Sequence, residues 1–388
     1  MDFQPMKDWM RRMVEWGVPG NVAAVYRDGK RVFFHAEGYA DPENRVLMRG
    51  DELFYIYSCS KVTTVTAALQ LYERGLFLLD DPVSAYIPSW KDARVKSPGG
   101  ALRKPVRPLT VRHLFTMTGG LTYDFGTPAF EKARRLTAGK MDTLKVIECL
   151  AEDPLAFDPG DHWQYSLCHD VLAALVEVVS GERFADYVRR HIWEPLDMKT
   201  ASYHPSAEEL AGMAGQYRDD SPGPNDPEAW TNGRPPRIRI ANVGKKNGYC
   251  LGENYDSGGA GIAVSADDYA RFAFALANRG VGLTGERILS PCAVELLREN
   301  QLTSSQLADY NWPQLRGYGY GLGVRTTLSR AESGFTGMRG EFGWGGAAGA
   351  TILSDPEANL ALFYAEHLLN PHEEFYQPRL RNVLYACL

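Results

Sequence analysis

The segment from Ser58 to Gly75 reads SCSKVTTVTAALQLYERG, and the rest of the fold is arranged around it. Apolar side chains recur at helical spacing from Val62 to Leu76, and Gly75 closes the pattern, which predicts one helix. Its first turns are rich in valine and threonine, which are poor intrinsic helix formers. Packing against the rest of the protein must therefore hold this helix, so we expect it to be buried.

Ser58 stands three residues before Lys61 at the start of that helix. Residues at this spacing share one helix face, with Cβ atoms roughly 5–6 Å apart, so the lysine amine can reach the serine hydroxyl. The pair is therefore a candidate nucleophile and base. Ser-x-x-Lys also occurs by chance, and the alternatives are an ordinary helix start and a solvated Lys61. Ser60 is the rival nucleophile, but a threonine occupies position 63.

Composition sets the broad class of the protein. The chain has 388 residues, 44% of them hydrophobic, and can bury a large core in two lobes. The net charge is −6, and the basic residues are scattered, which argues against a nucleic-acid partner. The sequence has no His-Glu-x-x-His motif and no Gly-x-Ser-x-Gly elbow. We therefore expect no metal, no cofactor and no α/β-hydrolase fold.

The region from Met1 to Gly20 carries basic and apolar residues at helical spacing, without a continuous apolar run. This pattern predicts an amphipathic helix that packs against the body of the protein, and it does not resemble a secretory signal. No stretch approaches the length of a membrane span. The six cysteines form no Cys-x-x-Cys pair, so they are expected to be reduced thiols in a cytoplasmic protein.

Strand-like runs occur near both ends of the chain. Val22–Tyr26 and Arg31–Glu37 flank Asp28-Gly29, which is a strong hairpin signal. Three further β-rich runs lie near the carboxyl end, at Tyr318–Thr326, Phe342–Leu353 and Leu360–Ala365.

The sequence between these two groups is mainly helical. We therefore predict an α/β protein of the α+β type, with an antiparallel sheet built from both chain ends. Residues 1–80 plus 255–388 would form the sheet domain. Residues 81–254 would form a mainly helical domain, with a Pro/Gly-rich loop near 221–236.

Several landmarks, in order and spacing, resemble those of the serine β-lactamases and penicillin-recognising enzymes, in the branch of class C β-lactamases and family VIII carboxylesterases. They cover nearly the whole chain, and include Leu79-Asp80-Asp81-Pro82-Val83, Thr118-Gly119-Gly120-Leu121, Trp163-Gln164-Tyr165-Ser166 and Ser257-Gly258-Gly259-Ala260-Gly261. The resemblance implies a β-lactamase/DD-peptidase-like fold. It also implies that Ser58 is the nucleophile and Lys61 its base or electrostatic partner.

The same resemblance assigns Tyr165 to the family's Tyr-x-Asn motif, where the phenol relays protons. The alternative for Tyr165 is a core aromatic. Leu167 stands where lactamases have the asparagine that holds the drug's amide side chain, so it becomes a substrate-binding candidate and weakens a lactamase assignment.

Trp344-Gly345-Gly346 stands where lactamases have Lys-Thr-Gly, and some esterase relatives carry Trp-Gly-Gly there. The resemblance implies substrate binding by these three residues and an oxyanion hole from the backbone N–H groups of Ser58 and Ala347. Trp344 in place of a lysine favours neutral, apolar esters over charged lactams. The alternative is a glycine-rich strand that only packs tightly.

The resemblance therefore implies a carboxylesterase that cleaves small-molecule esters with short to medium acyl chains through a Ser58 acyl-enzyme. The alternatives are a β-lactamase or D-alanyl peptidase, an acyltransferase on the same site, and a catalytically silent binding protein. The sequence does not set the natural substrate or the oligomeric state.

Overall fold

The structure is a computed structural model that describes residues 1–221 and 237–388. The predicted Pro/Gly-rich loop near 221–236 therefore lies, from residue 222 onward, outside the described residues.

The main feature is an eight-stranded sheet in the order β10-β11-β12-β13-β14-β1-β2-β3, in which the paired strands are antiparallel. The strands of the described residues are β1 Gly20–Arg27, β2 Lys30–Asp41, β3 Val46–Leu47, β4 Leu53–Tyr55, β5 Val95–Lys96, β6 Leu102–Arg103, β7 Tyr217–Asp219, β8 Ile240–Asn242, β9 Ala263–Ser265, β10 Tyr318–Tyr320, β11 Arg325–Thr327, β12 Phe342–Gly346, β13 Ala350–Asp355, β14 Leu360–Ala365 and β15 Leu368–Leu369.

The two ends of the chain meet in the middle of this sheet, where β1 pairs with β14. The predicted hairpin turn at Asp28-Gly29 is confirmed, since both residues adopt positive φ angles, 49° and 77°. The β-rich run 342–353 forms two strands, β12 and β13, because the chain turns back at Gly349, with φ at 79°. The predicted α/β class, with a sheet built from both chain ends, is confirmed.

Helices cover the sheet and fill the sequence between its two halves. They are α1 Gln4–Trp16, α2 Ser60–Glu73, α3 Val111–Phe115, α4 Pro128–Leu136, α5 Thr143–Leu150, α6 Cys168–Ser180, α7 Phe184–Val188, α8 Ala207–Gly212, α9 Ala266–Ala277, α10 Pro291–Arg298, α11 Ser304–Asp309, α12 Arg330–Ser333 and α13 Glu373–Ala386. The N-terminal helix α1 packs against the body of the protein with Met6, Trp9, Met10 and Met13 buried.

Helix α2 lies at the centre of the molecule, packed against α6 and α7. Its β-branched first turns, Val62 to Val65, are fully buried, with 0% exposure. Burial supplies about 1.5–3 kcal/mol for each valine-sized side chain, which offsets the few tenths of a kcal/mol lost through poor helix propensity. This explains why a sequence rich in valine and threonine forms a helix here.

In the described parts of the chain, no helix is long and apolar enough to span a membrane. The division into a sheet domain of residues 1–80 plus 255–388 and a helical domain of residues 81–254 stays a prediction.

Candidate active site

Ser58 lies in a short 3-10 turn, Tyr57–Cys59, between β4 and α2. Tyr57, directly before it, has a φ angle of 45°, in a region that residues other than glycine rarely adopt. The buried Tyr57 hydroxyl donates a hydrogen bond to Gln216, which helps to hold this backbone in place. Such backbone strain costs on the order of 1–3 kcal/mol and concentrates at functional sites. The turn leaves Ser58 half-buried at the edge of a cavity.

Lys61 is fully buried, with 0% exposure, so its predicted alternative as a solvated surface lysine is wrong. Its Nζ lies 3.2 Å from Ser58 Oγ, 2.7 Å from the Tyr123 hydroxyl and 2.7 Å from the Gly259 carbonyl oxygen. An ammonium group can donate to all three oxygens. A neutral amine has two N–H donors and one lone pair, and that lone pair must face a hydroxyl, since a carbonyl cannot donate.

Burial lowers the pKa of Lys61 from 10.5 to about 7, although Asp170 and the thiols of Cys59 and Cys168 act in the opposite direction. Removing the amine from water penalises its charged form, and the hydrogen-bond partners of Nζ among the described residues are two hydroxyls and a carbonyl rather than a carboxylate. A large fraction of the lysine is therefore neutral near pH 7. In that state it can accept the serine proton.

Tyr165 lies beside Ser58 and lines the same cavity. Its hydroxyl accepts a hydrogen bond from the Trp344 indole Nε1 at 3.2 Å and is also hydrogen-bonded to Ser58. Burial raises the pKa of Tyr165 well above its usual value, and these two hydrogen bonds only partly oppose that rise. The phenol is therefore protonated at neutral pH, which suits a proton donor better than a base. Lys61 Nζ lies 4.6 Å from the centre of the Tyr165 ring.

Tyr123 is a site residue that sequence reasoning missed. Its hydroxyl is the direct partner of Lys61, and its ring packs against Tyr165 with centroids 5.5 Å apart. The only local signal is its position two residues after Leu121, at the end of the Thr-Gly-Gly-Leu landmark. The structure thus places two tyrosines beside the Ser58–Lys61 pair.

The carbonyl of Gly259 is the third hydrogen-bond partner of Lys61, and Asp170 holds Gly259 in place. One carboxylate oxygen of Asp170 accepts hydrogen bonds from Tyr255, Ser257 and the Gly259 N–H. A Cβ atom on Gly259 would lie 2.6 Å from the other Asp170 oxygen and 2.9 Å from the Tyr123 hydroxyl. Only glycine lets this carbonyl approach Lys61 so closely.

The Trp344-Gly345-Gly346 segment forms most of β12, beside the turn that carries Ser58. A Cβ on Gly346 would lie 2.2 Å from the Ile56 carbonyl oxygen, so glycine is required for this close approach. Ser58 and Ala347, whose N–H groups are the predicted oxyanion hole, line the same cavity. The oxyanion role itself stays a prediction.

The cavity beside Ser58 has a volume of about 180 Å³. It brings together several predicted residues with others that the sequence did not indicate; they are Ser58, Tyr165, Trp344, Gly345 and Ala347 with Trp312, Gln314, Leu315, Arg325, Glu373 and Gln377. Leu167 does not line it, since this side chain is 2% exposed and packs in the main core. Gly346, also predicted to bind substrate, does not line it either, because it packs against the Ile56 carbonyl.

The rival nucleophile Ser60 is fully buried, and its hydroxyl accepts a hydrogen bond from the Ile262 N–H at 3.1 Å. Among residues 1–221 and 237–388, no cluster of three or more possible metal ligands occurs. Among the described residues, the Ser58 hydroxyl combines two features: it is hydrogen-bonded to Lys61, whose pKa is lowered, and it faces an accessible cavity. This fold and this arrangement define the class: the protein is a serine hydrolase.

Comparisons with known proteins agree with that class. The family model described as Beta-lactamase matches residues 6–386. Esterase EstB of Burkholderia gladioli is 30% identical over 360 residues, which cover 88% of this chain and 84% of EstB. Protein Rv1367c of Mycobacterium tuberculosis is 30% identical over 357 residues, which cover 89% of this chain and 84% of the relative.

Among solved structures, EstCE1, described as a hydrolase with promiscuous acyltransferase activity, has a TM-score of 0.77 and 24% identity, with 98% of each chain covered. At that identity the likeness shows the fold. The chain belongs to the β-lactamase family, as the full-length family match and the EstB relationship show.

Proposed function

We propose that the protein is a carboxylesterase that hydrolyses neutral esters with short to medium acyl chains through an acyl intermediate on Ser58. The observation that carries this proposal is the wall of the cavity beside the nucleophile. Tyr165, Trp312 and Trp344 form an aromatic face there, with ring centroids 5.3 to 6.3 Å apart. Such a face favours an uncharged acyl or alcohol group, and it offers no cation to a substrate carboxylate.

In the proposed acylation step, neutral Lys61 takes the proton of Ser58, and Oγ attacks the ester carbonyl carbon. The N–H groups of Ser58 and Ala347 stabilise the resulting oxyanion. When the C–O bond breaks, Tyr165 donates its proton to the leaving alkoxide. The protonated Lys61 then gives its proton to the Tyr165 phenolate, so both groups return to their starting protonation states and the net transfer is from the serine to the departing alcohol.

Deacylation repeats these steps with water as the nucleophile. Water loses a proton to the Lys61–Tyr165 pair and attacks the acyl carbonyl carbon, and Ser58 leaves with a proton restored to Oγ. The products are the carboxylic acid and the free enzyme, so atoms and protons balance over the cycle.

The names of two similar proteins support the ester assignment. EstB is called an esterase, and EstCE1 is described as a hydrolase. The description of EstCE1 also mentions acyltransferase activity, which favours acyl transfer to an alcohol as a second candidate function. Transfer would use the same acyl-enzyme, with an alcohol replacing water in the second step.

Ester and lactam substrates distinguish the leading proposal from its alternatives. We expect Ser58-dependent hydrolysis of p-nitrophenyl acetate and butyrate, with kcat/KM far above that for nitrocefin. Ser60→Ala is the matched control, since it removes a neighbouring hydroxyl that does not face the cavity. Nitrocefin turnover as fast as ester turnover would favour a β-lactamase, and full ester turnover by Ser58→Ala would overturn the assigned nucleophile.

The cytoplasmic location is also part of the proposal. Its support is that all six cysteines, at positions 59, 149, 168, 250, 292 and 387, are free thiols in the structure.

A further inference from the structure

The cavity beside Ser58 has a second face that an apolar ester does not explain. Besides the aromatic wall, four polar side chains line it: Gln314, Arg325, Glu373 and Gln377. We call these four residues the polar floor. They come from the turn before β10, from β11 and from the start of α13. Burying polar groups is costly unless they are hydrogen-bonded, so such a set in a substrate cavity requires a reason.

Glu373 is the centre of the polar floor. Its Oε2 accepts a hydrogen bond from Gln314 Nε2 at 3.0 Å, while no group of the described residues donates one to Oε1. Burial raises the pKa of Glu373 to about 7, which the hydrogen bond from Gln314 only partly opposes. The side chain is half-buried rather than sealed, so a ligand in the cavity can reach it. One carboxyl oxygen is thus left to accept a hydrogen bond.

Gly345 lets the polar side chains of α13 come close to the strand beside the nucleophile. A Cβ at Gly345 would lie 2.5 Å from Gln377 Nε2 and 3.3 Å from Glu373 Oε1. Glu373 and Gln377 are four residues apart on α13 and therefore share one helix face. Glycine at position 345 therefore lets these two polar groups pack closely against β12, in the cavity that Ser58 also lines.

Arg325 does not make the floor a site for anions. Its guanidinium forms a buried ion pair with Glu341, with N–O distances of 2.9 and 3.0 Å, and it lies over the Tyr318 ring. Its charge is therefore balanced within the protein. The ionisable group of the polar floor that remains for a ligand is the Glu373 carboxyl group, beside the Gln377 amide.

We propose that the polar floor is a subsite for a hydrogen-bond donor, a hydroxyl or amino group at the far end of the acyl chain of the substrate. The proposal rests on the esterase function above and narrows it. The aromatic wall binds the carbon chain, and Glu373 accepts a hydrogen bond from the terminal group. The expected substrates are esters of hydroxy or amino acids with several methylenes between the two functional groups.

Matched ester pairs test this subsite. We expect kcat/KM for p-nitrophenyl 6-hydroxyhexanoate to exceed that for p-nitrophenyl heptanoate, in which a methyl group replaces the hydroxyl, by roughly tenfold, as for a hydrogen bond to a charged acceptor. The 6-aminohexanoate ester should show at least the same preference. In Glu373→Met, both preferences should disappear. Glu374→Met is the matched control, because its neighbouring carboxylate does not line the cavity, and it should keep them.

Because each preference is a ratio measured within one variant, a general loss of activity or folding does not imitate the expected result. Equal or better turnover of the heptanoate by the wild type would overturn the subsite, and so would preferences that survive in Glu373→Met. Either outcome leaves the esterase proposal intact if Ser58 remains essential for p-nitrophenyl acetate hydrolysis. A Ser58→Ala variant with full activity would instead overturn the proposed function.

Discussion

Burial has different consequences in the two regions of the site, the Ser58–Lys61 region and the polar floor. On the side of Ser58, Lys61, Tyr123 and Tyr165, the packing is tight, and desolvation lowers the pKa of the lysine while it raises the pKa of the tyrosines. On the polar floor, Glu373 is half-buried, and of its two carboxyl oxygens only Oε2 accepts a hydrogen bond from the described residues. The first arrangement suits chemistry, because burial makes the lysine a base at neutral pH. The second suits recognition, because it leaves an acceptor unused.

The largest effect on the chemical side should come from Lys61. Replacing it by methionine removes the base, and we expect kcat/KM for p-nitrophenyl acetate to fall by about 10³-fold or more, near the upper range for general-base catalysis. Lys61→Arg is the control, since it keeps a positive charge but cannot deprotonate. Substantial activity in the arginine variant would assign Lys61 an electrostatic role instead.

The two tyrosines should differ in importance. Tyr165→Phe removes the proposed proton donor, and we expect a loss of about 10²-fold in kcat/KM with an ester of a poorly leaving alcohol such as ethyl butyrate. Tyr123→Phe removes one acceptor for Lys61 Nζ and should cost about tenfold. Steady-state kinetics of both variants checks this order. The reverse order would make Tyr123 the proton donor.

The pH dependence of the wild type follows from the pKa of Lys61, which is about 7. Only the neutral amine accepts a proton, so kcat/KM should rise with pH through a midpoint near 7 and fall about tenfold for each pH unit below it. Glu373 also titrates near pH 7, so the profile of Glu373→Gln is the control. If the midpoint of the pH profile moves in Glu373→Gln, the rise of kcat/KM near pH 7 reflects the titration of Glu373 in the polar floor and not that of Lys61.

Adding a side chain at Gly345 should affect substrate recognition, because it would displace the polar side chains packed there. The Cβ of Gly345→Ala would lie against Gln377 and Glu373, so the ratio of kcat/KM for p-nitrophenyl heptanoate to that for the acetate should fall roughly tenfold. Gly212→Ala is the control, because a Cβ there meets no atom within 4 Å. An unchanged ratio in Gly345→Ala would show that the acyl chain does not pass this residue.

The smallest expected effect concerns stability. The pKa of Lys61 is lower in the folded state than in the unfolded state, so the unfolded chain binds more protons between pH 7 and 10.5. The penalty for burying this lysine is therefore greatest at and below about pH 7, and it fades as the pH rises towards 10.5. Lys61→Met should raise Tm by roughly 2–5 °C at neutral pH and by less at pH 10. An increase in Tm that is the same at pH 7 and pH 10 would show that it does not come from removing a buried charge.

The sequence predicted the parts of the fold and the site that depend on local patterns. The Ser58–Lys61 spacing, the Asp28-Gly29 turn and the apolar spacing of α2 each follow from the geometry of one element. The burial of Val62 to Val65 also followed, because residues of such poor helix propensity need packing to form a helix.

Other parts depend on contacts between distant segments. Tyr123 and the Gly259 carbonyl reach Lys61 from 62 and 198 residues away. Glu373 and Gln314 meet across 59 residues and carry no motif of their own. No local pattern encodes such contacts. The prediction of Leu167 beside the substrate came from its place in the Tyr-x-Asn motif, and it is wrong because an apolar side chain at that position packs into the core.

Trapping the acyl-enzyme tests the role of Ser58 as nucleophile most directly. The protein would be acid-quenched during turnover of p-nitrophenyl butyrate, and its peptides would be analysed by mass spectrometry. We expect a butyryl group on Ser58 in the wild type and in Ser60→Ala, and none in Ser58→Ala. A butyryl group on another residue, or steady ester turnover by Ser58→Ala, would contradict this role.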